Sequence, residues 1–154
     1  MKLNAEAFQR ELNVFTKELL PADVHRFTKA IALQLFRGVI EKTPVGNPSL
    51  WKNPPPKGYV GGHARMNWQL SANAPVDTEL PGASADTTAV LFAGMTQLNQ
   101  SQPYQEIWIC NNVPYITVLE NGRGPDENGV LRGSTQAPYG MLGVTLEELR
   151  RDFA

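Results

Sequence analysis

"TPVGNPSLWKNPPPKGYVGGHARMNWQL", residues 43–70, holds a helix end, a proline- and glycine-rich run and the start of a strand in one stretch. The residue before a proline is pushed out of the α region, so Thr43-Pro44 stops the helix that precedes it. The 45–62 segment carries Pro48, Pro54, Pro55 and Pro56 among glycines. That composition supports neither a helix nor a ladder, and it predicts an extended, projecting arm with Trp51 and Tyr59 as candidate anchors for a partner. From Arg65 the pattern alternates. Met66, Trp68, Leu70, Ala72 and Ala74 point one way and Arg65, Asn67, Gln69, Ser71 and Asn73 the other, which predicts a half-buried strand with Arg65 and Asn67 on its wet face as further candidates for a partner interface.

Upstream of this stretch, Asn4 is placed to cap a first helix on which Ala5, Phe8, Leu12, Phe15 and Leu19 recur at helical spacing. Pro21 suits the first turn of a second helix, whose face carries Val24, Phe27, Ile31, Leu35 and Val39. The back of that helix carries a further stripe, Leu33, Phe36 and Ile40, which is expected to be covered by the same chain or by a neighbouring subunit. Downstream, Ser84 or Asp86 can cap a helix through "TTAVLFAGMTQLN", and "QEIWICNN" reads as a second strand. "PYITVLENG" fits either a short strand or a turn of helix stopped at Asn121-Gly122. The 122–140 segment reads as a long glycine-rich loop, and "MLGVTLEELRRDFA" as a terminal amphipathic helix. The expected fold is therefore α+β in a single domain, 1–154: N-terminal helices, a small mostly antiparallel sheet, a C-terminal helix and two long loops.

The chain has 154 residues, a formal charge of −1 and a pI near 6.1, so charge supplies no general draw to nucleic acid. No specific nucleic-acid partner and no membrane partner are expected. The N-terminus lacks the apolar core of a signal peptide, and the single Cys110 cannot form an internal disulfide; both suit a cytoplasm, with Cys110 an inert buried thiol. His25 and His63 are not spaced as a zinc pair. "GPDENGVL" has Asp126, Asn128 and Gly129 in the order of part of a calcium loop, but with too few ligands. There is no phosphate-cradling loop, nucleophile elbow or Cys-His pair, so neither enzymatic activity nor a cofactor is expected. Glu120, after an apolar run, reads as a partly buried structural acid.

Four fragments in order, "TPV" (43–45), "GHARMNW" (62–68), "NNVPYITVLENG" (111–122) and "QAPYGML" (136–142), resemble the successive signatures of tailed-bacteriophage tail-completion or neck proteins. The lambda minor tail protein Z belongs to that broad group. The resemblance implies a structural virion protein that completes the tail or joins it to the head by assembling into a ring. It would be made in the host cytoplasm and would reside in the virion. Its implied partners are further copies of itself and other neck and tail proteins such as terminator, connector or tube subunits. The resemblance also makes Trp68, Asn111, Tyr115, Glu120, Gly122 and Met141 structural motif residues. The family's Asp-Thr-Gly after "TPV" is replaced here by the proline-rich insert, and "RGPDENGVLRGST" lengthens the second loop. The alternative is a small cytoplasmic enzyme or a peptide-binding module, with its site in the glycine-rich loop or at Trp51 and Tyr59.

Overall fold

A computed structural model describes residues 5–51, 53–125 and 127–153. Asn4, read as a helix cap, and Asp126 of the calcium-like turn lie outside the described residues. The protein is α+β. α1 (Ala5–Val14) and α2 (Leu20–Lys42) form one continuous rod joined by a π-turn at Phe15–Leu19, in place of the two separate helices expected. The reason lies at Pro21, which has no N–H to donate; the wider turn, in which the Leu20 amide bonds the Phe15 carbonyl, carries the helix past it. At about 1.5 Å per residue the rod is roughly 57 Å long. Its first buried residue is Ala32.

Thr43 ends α2 in an extended conformation, as its following proline requires. Pro48–Leu50 forms a short 3-10 turn, and α3 (His63–Met66) is a single helical turn. β1 (Trp68–Ala72) pairs antiparallel with β2 (Ile107–Asn111), Trp68 opposite Asn111 and Ala72 opposite Ile107. Between these strands lies α4 (Thr88–Gln100), preceded by Asp86, whose carboxylate accepts from the Thr88 amide at 2.9 Å and hydroxyl at 2.7 Å. These bonds hold Asp86 below the ordinary carboxylate range. α5 (Ile116–Glu120) resolves the ambiguous "PYITVLENG" as helix. The 122–140 segment is not wholly irregular, because β3 (Arg123–Pro125) and β4 (Leu131–Gly133) pair as a hairpin within it. α6 (Leu142–Asp152) closes the chain.

The core gathers Phe36, Val39 and Ile40 of α2 with Trp68 and Leu70 of β1, Val90 and Leu98 of α4, and Met141. Leu33, Phe36 and Ile40 thus resolve in favour of cover by the chain itself. Phe36 and Ile40 are fully buried and Leu33 packs against the core, which removes these three from the interface candidates. Phe36 lies against α4 at Gly94, where an added Cβ would approach the ring to 2.3 Å.

A second correction concerns residues 65–67, which form a helical turn and its exit, not strand. Gly62 adopts φ +96°, closed to other residues because a Cβ would also meet the Ser84 carbonyl oxygen, and the Met66 amide then bonds back to the Gly62 carbonyl at 2.9 Å. Asn67 is consequently inside, with 0% exposure, not on a wet face.

A candidate partner-docking cleft

The four signature stretches bond to one another. The Thr43 hydroxyl donates to the Val39 carbonyl at 2.6 Å and accepts from the Trp68 indole N–H at 2.6 Å, both buried. Arg65 Nε donates to the Thr43 carbonyl at 2.7 Å. Asn67 accepts from the Leu80 amide at 2.7 Å and donates to the His63 and Leu80 carbonyls, which pins the turn-rich 75–86 connection onto α3. Asn111 Nδ2 donates to the Ala64 carbonyl at 2.8 Å. Asn67, buried and spent on internal bonds, is thereby corrected from an interface candidate to a joint within the fold, while the half-buried Arg65 braces the end of α2.

Glu120 couples the last two signatures. Its carboxylate accepts from the amides of Met141 at 3.0 Å, Leu142 at 2.9 Å and Gly143 at 3.1 Å, the unpaired donors at the start of α6. Gly122 at φ +66° lets the Arg123 amide reach the Pro138 carbonyl at 2.8 Å, and Gly140 at φ +75° passes close against the Glu120 backbone. Met141 is fully buried beneath this joint.

On this frame the 45–62 segment is not an open arm but a loop closed at its base. Its ends are tied where the Gly62 amide meets the Val45 carbonyl, and the Asn47 amide donates to Gln136 Oε1 at 2.6 Å. The closed loop stacks Trp51 edge-on to Tyr59, with centroids 4.8 Å apart. Between this loop, α5 and residues 133–136 opens a cleft of about 430 Å³, lined by Val45, Leu50, Trp51, Tyr59, Tyr115 and Val118 among others. Leu50, Trp51, Tyr115 and Val118 remain exposed. Burial pushes the Tyr115 hydroxyl above the ordinary phenol range, with Tyr59 and Glu79 acting in the same direction. An apolar floor with a rim of aromatic hydroxyls and backbone groups suits a protruding apolar side chain of another protein. Trp51 and Tyr59 were legible as large aromatics from their place in a proline-rich loop. Val118 and Gln136 were not, because they come to the cleft only through the packing of α5 and the fold of the second loop.

At the cleft edge, His63 Nε2 lies 2.6 Å from Glu79 Oε1, and Nδ1 contacts the Gly82 carbonyl. Both partners are acceptors, so the ring makes both bonds only when doubly protonated. Glu79 first, then Gly82, raises the His63 pKa above 6.5. A raised folded-state value gives a contribution that is complete below the unfolded value and lost as pH rises through the folded one. Unfolding by denaturant is therefore expected to show stability gained on lowering pH from about 8 to about 6.5, by up to about 1 kcal/mol for a partly exposed pair. The gain disappears in His63→Gln; an identical pH profile for that variant overturns the assignment.

Among the described residues no group of three or more acidic, histidine or cysteine side chains is placed to hold a metal, and no helix is long and apolar enough to cross a membrane. Cys110 is free and half-buried on β2. Set against protein-family models, curated proteins and solved structures, the chain has no match.

Proposed function

We propose that this protein is a structural component of a tailed-phage neck or tail end, one that completes the tail or joins it to the head by assembling into a ring and performs no turnover. The observation that carries the reading is the mutual bonding of the four signature stretches. Thr43, Arg65 and Trp68 form one joint, and Glu120, Gly122 and Met141 another, so residues far apart in sequence work together as a scaffold. On that scaffold the cleft beside Trp51 and Tyr59 is the surface offered to a neighbouring neck or tail subunit. The same cleft also favours the peptide-binding reading, in which a free peptide, not an assembled ring, fills it.

Complementation of a deletion phage, followed by electron microscopy of the lysate, separates the two. The neck reading expects heads and tails that are each made but do not join without the protein. Trp51→Ala, which alters a loop residue outside the core, is expected to shift unfolding by less than about 1 kcal/mol. It should lower the yield of joined particles at least about tenfold, the effect of losing one interface anchor. Infectious particles formed in full without the protein would overturn the proposal.

A further inference from the structure

The N-terminal rod has no buried residue before Ala32. Phe8, Leu12, Phe15 and Leu19 follow a 4-3-4 spacing, and after the π-turn Leu20, Val24 and Phe27 continue it. A purely α-helical path would rotate the second set off the first face. The π-turn bonds Leu20 back to Phe15, five residues earlier, and so returns the stripe to phase. All seven side chains are exposed, from 37% at Val24 to 59% at Phe8, and at the inner end of the stripe the Phe27 ring meets Phe153 edge-on with centroids 5.6 Å apart. At roughly 150–250 Å² per full side chain, the exposed stripe amounts to about 600 Å², the upper limit of what a monomer usually shows to water. Paired with itself it would bury at most about 1,200 Å², the lower end of a stable interface.

Charge selects the occupant. Residues 5–29 carry Glu6, Glu11, Glu18 and Asp23 against Arg10, Lys17, Arg26 and Lys29, a balance that gives no attraction to an anionic lipid surface or to nucleic acid. By helical phase, Glu11, Glu18 and Asp23 fall toward one edge of the stripe together with Arg26, which pairs with Asp23 at 3.1 Å and leaves Glu11 and Glu18 as the net charge of that edge; Gln9, Thr16 and Thr28 line the other edge, and Arg10, Lys17 and Lys29 lie on the back. Two such helices running in opposite directions would set acidic edge against acidic edge. Running in the same direction, each acidic edge meets a neutral one. We infer that residues 8–27 pack in parallel against the same residues of a second copy of this chain, so that the arm is the element through which copies associate. The inference rests on the proposed assembly only for the second copy: a pairing of like residues is two-fold and joins copies in pairs, apart from the contact that closes a ring, and its test is separable from that of the phage role.

Sedimentation of the full chain over a concentration series is expected to show a reversible oligomer, and Phe8→Glu combined with Phe15→Glu a monomer. Because neither side chain reaches the core, the thermal unfolding of the domain should be unchanged. In a Cys110→Ala background, Leu12→Cys should oxidise to a disulfide-linked dimer at least tenfold faster than Arg10→Cys, since parallel pairing sets residue 12 against itself. A wild-type chain that stays monomeric overturns the inference, including one that co-sediments with phosphatidylcholine vesicles. So does a double variant of unchanged mass, or equal cross-linking at the two cysteine positions. If the double variant keeps its oligomer and still restores joining to the deletion phage, the arm inference fails and the neck reading stands. If arm-dependent oligomers form but the deletion phage is fully infectious, the neck reading fails and the arm inference stands.

Discussion

Trp68→Ala is expected to destabilise the fold by about 3–5 kcal/mol, enough to leave a domain of this size partly unfolded at growth temperature. The side chain is 7% exposed and belongs to the same core as Phe36, Ile40 and Met141. Its loss removes a large buried surface and opens a cavity between α2 and the sheet. It also takes away the donor to the Thr43 hydroxyl, which links the end of α2 to the start of β1. Trp68→Phe separates the two contributions: it retains much of the ring volume but loses the N–H, and its cost should fall to about 1–2 kcal/mol. Urea unfolding of the three proteins measures both. A loss under about 1 kcal/mol for the alanine variant would mean that Trp68 does not hold the helix and sheet together.

The second large effect is expected at the joint between α5 and α6. Glu120→Ala leaves three amides at the start of α6 without their charged acceptor, at a cost of about 2–3 kcal/mol. Gly140→Ala should cost at least as much, because at φ +75° its Cβ would be driven to 2.2 Å from the Glu120 carbonyl oxygen, a backbone atom with little freedom to yield. Both substitutions disturb the same seating of α6, so the double variant should lose clearly less than the sum of the singles. Strict additivity, within about 0.5 kcal/mol, would show that Glu120 and Gly140 act independently and that the joint is not a unit.

Local rules carried much of the architecture. A proline at 44 forbids the α conformation at Thr43, the alternation that begins at Arg65 takes in the strand 68–72, the apolar run in "QEIWICNN" takes in 107–111, and the 3.6-residue period marks α2 and α6; each of these depends on residues within one or two turns of the chain. The sequence by itself therefore determined the α+β class, the end of the long helix and the amphipathic character of its N-terminal half. What only the tertiary structure decided depended on contacts between distant residues. Asn67 could be assigned to water by alternation, but its amide group makes three hydrogen bonds inside the fold, two with the Leu80 backbone and one to the His63 carbonyl. Glu120 is 21 residues from Met141, whose amide it accepts, and no periodicity reports such a bond. The proline-rich stretch was expected to project because it can form no ladder, yet Val45 and Gly62 close it at the base and Trp51 packs on Tyr59. Conversely, an apolar stripe such as Phe8 to Phe27 ordinarily signals a helix lying on its own core. That most of this one stands clear of the domain follows from where α2 is seated: Phe36, Val39 and Ile40 occupy the core at the far end of a stiff rod, Phe27 meets Phe153 at the end of α6, and the residues before it are carried out of reach.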